Sequence, residues 1–199
     1  MVWNTLHQAT DGRIALRRKI HTSIPILDSF MHFPSSKITL IRGPNDFLMD
    51  FTSLLCVNGV KLDANVVYVD GGNSINPYAI SGFSRRFGMD ARYALGKILV
   101  SRAFTAYQFE MIITQKLKGV VKEGALVIVS CITDPFLDRG VRRPQGRALI
   151  DRCLNALKTM TVGHGLITVV TDRKPSKIFD EILHEKADEV LEINKMRNL

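Results

Sequence analysis

The stretch ITLIRGPNDFLMDF, residues 38–51, decides the fold. Ile38-Thr39-Leu40-Ile41 is an apolar run that reads as a short buried strand. It leads through Gly43 into a segment with Phe47, Phe51, Leu54 and Leu55 at helical spacing. A strand, a glycine turn and a helix make up the opening of a phosphate-binding loop. Counted from Gly43, the pattern G-x-x-x-x-G-K-[ST] asks for Gly, Lys and Ser or Thr at its last three positions. The chain has Leu48, Met49 and Asp50 there, and no other stretch supplies the pattern.

Outward from this stretch, strands alternate with helices. The first helix is expected to stop near Asn58-Gly59. ANVVYVD (64–70) reads as a second strand, followed by the loop GGNSINP (71–77), with Pro77 suited to a first helical turn. YAISGFSRRFGM reads as a helix with Ile80, Phe83 and Phe87 on one face. KILVSRAF (97–104) is a third strand, 106–124 a helix, and ALVIVSCI (125–132) a fourth strand apolar enough to be central. A long amphipathic helix over 147–163 precedes strands at 165–172 and 187–195. Apolar strands separated by helix-length segments predict an α/β fold, a mostly parallel central sheet flanked by helices on both faces. Ligands of such sheets bind beyond the C-terminal strand ends.

The chain has 199 residues, 46% hydrophobic, enough for one domain with a packed core. Residues 1–20 are less periodic and read as an N-terminal arm or extra strand, ahead of a single domain over 21–199. No apolar run approaches a membrane span, and the first twenty residues lack the apolar core of a secretory signal. Cys56, Cys131 and Cys153 lie far apart in apolar contexts and read as reduced core thiols of an intracellular protein. The five histidines show no metal-ligand spacing, so no metal is expected. A formal net charge of +8 favours polyanionic partners without saying which.

The order of segments over roughly residues 20 to 195 resembles the core of the RecA/RadA recombinase family of ATPases, in particular the archaeal RadA branch and its shorter paralogues. TSIPILDSFMHFPSSKITLIRGP resembles that family's "LD", loop and "ITLI-x-GP". VVYVDGGNSINP is similar to "YIDTEGTFRP", and RRFGMDARYALGKILVSRAFTAYQ to "ERFGLDPEEVLENIYVARAYNSDHQ". LVIVSCITDPF resembles the Walker B strand "LVIVDSLTSHF", and GLITVVTDR the later "VVVTNQ" strand. Weak matches in the right order support one another. The resemblance implies a RecA-like P-loop NTPase core.

The departures strike one chemistry. In the family loop, glycine lets the backbone approach the phosphates, lysine neutralises them and the hydroxyl ligates Mg²⁺. The matching loop here runs through Gly43 and Pro44, with Asp46, Leu48, Met49 and Asp50 at its helical end. Asp46 and Asp50 are expected to cap the helix start themselves, filling the anion site from within. Aligning Asp70 and Pro77 places Gly72 at the catalytic glutamate. Ser130 stands at the Walker B aspartate, and Asp172-Arg173 where the family senses the γ-phosphate with Asn-Gln. ATP hydrolysis by the family mechanism is therefore expected to be absent, with no cofactor.

Two surfaces remain. The region matching the family's DNA-gripping loops, TDPFLDRGVRRPQGRALIDR, carries Arg139, Arg142, Arg143, Arg147 and Arg152, partly offset by Asp134, Asp138 and Asp151. Arginines on a loop suit phosphate contact and base stacking. Arg13, Arg17, Arg18 and Lys19 are a weaker basic cluster. The helix with Ala79, Ile80, Phe83 and Phe87 matches the one around which family members dock a neighbour's phenylalanine, and its apolar face reads as core. The resemblance implies a non-catalytic paralogue in the cytoplasm, with DNA, single-stranded before double-stranded, or a RadA-type recombinase as partner. It leaves a homo-oligomer open and implies no membrane. The alternatives are a protein-interaction scaffold without a nucleic-acid role, and an ATPase using unusual residues such as Arg42 or Lys37.

Overall fold

The computed structural model describes residues 33–173 and 176–193. Six strands form one sheet: β1 (Lys37–Arg42), β2 (Val66–Asp70), β3 (Ile98–Arg102), β4 (Leu126–Ser130), β5 (Ile167–Asp172) and β6 (Glu189–Glu192). Their order is β3-β2-β4-β5-β1-β6, and every pairing is parallel. The helices are α1 (Asn45–Lys61), α2 (Pro77–Arg86), α3 (Ala91–Gly96), α4 (Ala106–Met111), α5 (Arg143–Gly163) and α6 (Asp180–Lys186).

The alternation along each strand sends side chains into two cores, one per face. In β4, Val127 and Val129 pack with Phe109, Ile150, Cys153 and Leu157 under α4 and α5. Leu126 and Ile128 pack with Phe51, Leu55, Val57 and Ile80 under α1 and α2. All five residues of β4 are buried, as its apolar composition requires. The three cysteines are buried and unbridged. Burial pushes the Cys153 thiol up to about 12 and Cys56 higher still, as expected of core thiols.

Several boundaries differ from the sequence reading for local reasons. α1 runs through Asn58 and Gly59 to Lys61. A Cβ on Gly59 would lie 2.7 Å from Val66 Cγ2 and 3.0 Å from Leu126 Cδ2, so this glycine permits close packing of the helix on the sheet. The helix expected over 106–124 changes character. After α4 it widens into a π-helical turn (Ile112–Lys116) and ends as a 3-10 turn (Leu117–Gly119). Ile112, Ile113 and Leu117 are all buried along it. α5 starts at Arg143, earlier than expected, because Pro144 suits a first turn. α3 and α6 have no counterpart in the sequence reading; α3 is capped by Asp90, whose Oδ1 accepts from the Tyr93 N–H at 2.8 Å. The arm over residues 1–20 and the cluster Arg13, Arg17, Arg18 and Lys19 lie outside the described residues, as does the far end of the sixth strand.

Candidate functional site

Beyond β1 the chain makes no open loop. Arg42 is followed by Gly43 and Pro44, and α1 begins at Asn45, with the Leu48 N–H donating to the Pro44 carbonyl at 3.0 Å. Leu48, Met49 and Asp50 are therefore helical. Leu48 is buried in the core, Met49 is half-buried, and Asp50 is exposed. The expected carboxylate cap does not form. Pro44 stands at the N-cap position, and no side chain caps this helix. Asp46 lies exposed in the first turn, where it can favour the helix dipole without filling an anion site. Its position one residue inside the helix, after a proline that ends the turn, removes it from the cap.

At the end of β2, Asp70 organises the turn that follows. Its Oδ1 accepts from the Ser74 N–H (2.9 Å), Ser74 Oγ (3.2 Å), Ser130 Oγ (3.2 Å) and the Gly72 N–H (3.3 Å). Its Oδ2 accepts from the Ile75 N–H at 3.3 Å and Arg102 Nε at 3.2 Å. Burial alone would raise this carboxyl, but the backbone N–H bonds and Arg102 outweigh it and hold it below its ordinary value. Ser130, which the sequence reading aligns with the Walker B aspartate, is buried between Asp70 and Ser74, which donates to it at 2.8 Å. Tyr68 and Thr52 extend the chain of hydroxyls, at 3.1 Å from Ser74 and 3.3 Å between themselves. In the sequence, Asp70 stands only as a point of resemblance to the family; an aspartate before Gly-Gly-Asn-Ser is the signal for a side chain that folds its own turn.

Gly72, which the sequence reading aligns with the family's catalytic glutamate, lies beneath Arg173. The Arg173 guanidinium donates to the Gly72 carbonyl and to Cys131 Sγ (2.9 Å), and pairs with Asp134 at 3.2 Å. A Cβ on Gly72 would meet that guanidinium and lie 2.5 Å from Cys131 Cβ and 2.8 Å from Asp134 Oδ2. A side chain at 72 and Arg173 in this position exclude each other. Cys131 adopts φ 52, the left-handed region, at the sharp turn out of β4. Burial raises the Asp134 carboxyl, against the pull of Arg173. Arg173, Asp134, Thr133, Leu137, Pro44 and Asn45 line a cleft of about 480 Å³ beyond the C-terminal strand ends.

Arg42 and Lys37, the unusual cations considered for a nucleotide, are engaged elsewhere. Arg42 is buried, with Asp180 at 2.6 Å, Glu192 at 3.5 Å, Asp172 at 3.6 Å and His184 Nε2 at 3.0 Å. Lys37 pairs with Glu189 at the N-terminal end of β1, a strand's length away from Gly43. Asp172 accepts from Thr133 Oγ1 at 2.6 Å through its Oδ1.

The arginine segment is only partly a loop. Arg139 lies on the turn before α5, Arg142 is the N-cap residue of α5, and Arg143 opens the helix. All three are exposed, and none forms an ion pair among the described residues. Arg147 is one turn into α5, held by Glu181 (2.7 Å) and the Ile178 carbonyl (3.3 Å), and Arg152 pairs with Glu110 at 3.1 Å. Ile80 is buried, and Phe83 and Phe87 pack on the core of that face, so α2 presents the core surface expected of it.

An all-parallel sheet in the order 3-2-4-5-1-6, covered on both faces, with its polar residues gathered beyond the C-terminal strand ends, defines a RecA-like α/β core. The family model described as Rad51 matches residues 49–189, and the chain belongs to the Rad51 family. That family places it in DNA repair and recombination. Among the described residues, no helix is long and apolar enough to cross a membrane, and no cluster of His, Cys, Asp and Glu suits a metal ion.

Proposed function

We propose that this Rad51-family chain is a non-catalytic paralogue of the short archaeal RadA-like type, acting in the cytoplasm. It binds DNA, or helps a recombinase bind it, and does not hydrolyse ATP. The arrangement at the head of α5 carries this reading. Arg139, Arg142 and Arg143 gather at the N-terminus of a 21-residue helix, the end that already bears partial positive charge. Unpaired cations there repel the dipole, an arrangement that favours an arriving anion over the isolated fold. The helical start at Asn45, the glycine at 72 and the serine at 130 support the loss of ATP chemistry, since a lysine, a water-orienting glutamate and a metal-supporting carboxylate are all replaced.

The test is fluorescence anisotropy on single- and double-stranded DNA across a salt series. Binding should be weakly sequence-dependent and fall steeply with salt. Arg142→Ala with Arg143→Ala should reduce the single-strand salt slope by roughly 1.5 for two phosphates at ~0.7 each. A double variant that binds as tightly as the parent at every salt concentration removes the arginines from the interface.

A second reading, a protein-interaction scaffold, is favoured by one observation. β3 is an edge strand with Leu99 and Val100 about half exposed, beside a groove of about 270 Å³ lined by Val67, Val69, Ile112 and Leu117. Absence of any DNA binding in the parent would bring this reading forward.

A further inference from the structure

The turn between β3 and α4 holds an aromatic side chain outward with no packing role in the fold. Phe104 is 78% exposed. Its backbone is nevertheless fixed. Thr105 caps α4 by accepting from the Gln108 N–H at 3.2 Å, and the Gln108 side chain accepts from the Phe104 N–H at 2.9 Å. A hydrophobic residue in this place commonly packs on the fourth residue of the helix, here Phe109. Phe109 is instead fully buried, in edge-to-face contact with Phe136. Phe104 is left out of the core on a rigid mount.

Tyr107, 53% exposed, stands beside it, its hydroxyl accepting from Gln145 Nε2 at 2.6 Å. Gln145 is in the first turn of α5, two residues beyond Arg143. Phe104 and Tyr107 form one wall of a groove of about 180 Å³, and Asp138, Gly140 and Val141 form the other. That second wall is the chain segment carrying Arg139 and leading to Arg142. Asp138 is occupied in part by the turn itself, accepting from the Gly140 N–H at 2.7 Å.

We propose that this groove is a stacking subsite for the bases of single-stranded nucleic acid, with Phe104 as the platform and Tyr107 beside it, while Arg139, Arg142 and Arg143 hold the adjoining phosphates. The proposal rests on the DNA-binding reading above and adds to it the residues that select single strands. Flat faces on fixed backbone lose little entropy when a base stacks on them, and arginines supply the charge complement to the backbone. A duplex keeps its base faces within its own stack and cannot offer them to this wall.

The test uses the full chain with an oligothymidylate carrying one 2-aminopurine, read by anisotropy and by quenching of the aminopurine. Phe104→Leu keeps an apolar side chain without the π-face, and Phe104→Trp keeps the face. Thermal melts of both should match the parent, since the ring is exposed. Phe104→Leu should weaken single-strand binding by roughly 5- to 150-fold, the range of one lost base–aromatic stack. It should abolish the quenching and leave both duplex affinity and the salt slope unchanged. Phe104→Trp should restore quenching. If Phe104→Leu binds and quenches like the parent while the Arg142/Arg143 variant loses salt slope, the DNA-binding reading stands and the subsite is refuted. If the parent binds duplex but no single strand, the subsite alone is refuted; if it binds neither, both fall. If Phe104→Leu leaves DNA binding intact and changes the sedimentation of the chain, the groove is a protein contact and the subsite is refuted.

Discussion

Replacing Asp172 by asparagine should alter how the stability of this protein depends on pH. The Asp172 side chain is fully buried at the end of β5. Its Oδ1 has Thr133, while Oδ2 has no hydrogen-bond donor among the described residues and faces Arg42 Nε at 3.6 Å. Arg42 is shared with Asp180 and Glu192. Burial dominates and pushes the Asp172 carboxyl from 3.8 up to about 6, against Thr133 and Arg42, with Asp134 and Asp180 adding to the rise. A carboxyl raised in the folded chain contributes stability fully present below its unfolded value and lost as pH rises through its folded value. The loss therefore falls between about pH 4 and a little above pH 6. A displacement of this size is worth on the order of 3 kcal/mol. Asparagine cannot ionise, so urea denaturation of both proteins from about pH 4.5 to about pH 8 should show the variant gaining on the parent as pH rises. An asparagine amide facing Arg42 adds an offset independent of pH, so the slope of the difference is the readout. Asp70 and Asp188 are held below their ordinary values, so their contribution has the opposite sign and is lost only at more acidic pH. Asp134, raised by burial, is common to both proteins. A difference that stays flat across this window, or a parent that gains on the variant as pH rises, would refute the reasoning.

Mg-ATP at millimolar concentration should give no upward thermal shift, and the triple change Leu48→Gly, Met49→Lys, Asp50→Thr should not create one, because these positions lie inside α1. That variant should also lose several kcal/mol, since it empties a buried leucine site and puts glycine in a helix. Gly72→Ala should cost about 1–3 kcal/mol by overpacking against Arg173 and Cys131, and the cost should shrink in an Arg173→Ala background; strictly additive melts would show that the two sites do not share space.

Much of the sheet was legible because buried parallel strands are written as short continuous apolar runs. LVIVS and ITLI have no competing helical reading, and both lie in the interior of the observed order. Helix ends were less legible where tertiary packing overrode a local signal. Asn58-Gly59 looks like a stop, yet Gly59 is needed where α1 crosses Val66 and Leu126. The candidate site was legible as positions and not as contacts. Gly72, Ser130, Asp172 and Arg173 were each picked out by alignment, but the sequence does not say that Arg173 covers Gly72 or that Asp70 gathers Ser74 and Ser130. Phe104 passed unnoticed because the sequence reading counts it as the last residue of the third strand, which ends at Arg102; its exposure depends on Phe109 having taken the core position. The supposed cap at Asp46 fails by two residues of register, with Pro44 occupying the cap.

The residues at the C-terminal strand ends fit one another as a set. A glutamate at 72 needs the space that Arg173 fills, and Arg173 in turn needs the carboxylate of Asp134 and the Gly72 carbonyl to be held there. Ser130 suits a site where Asp70 is already the acceptor, since a second carboxylate beside a buried, charge-stabilised aspartate would carry a large desolvation and repulsion cost. Asp172 is tolerable only beside Arg42 and Thr133. Each of these groups faces a neighbour, so among the described residues most polar atoms beyond the sheet are satisfied by one another, Asp172 Oδ2, Arg42 Nε and Asn45 Oδ1 excepted. The exposed charge lies instead at the head of α5, where Arg139, Arg142 and Arg143 have no described partner and Arg147 does. Neutralising Arg147 should therefore disturb its contact with α6 more than any anion contact, whereas Arg142 and Arg143 can be changed with little effect on the fold. That separation lets the two halves of the proposed function be tested apart in the same chain.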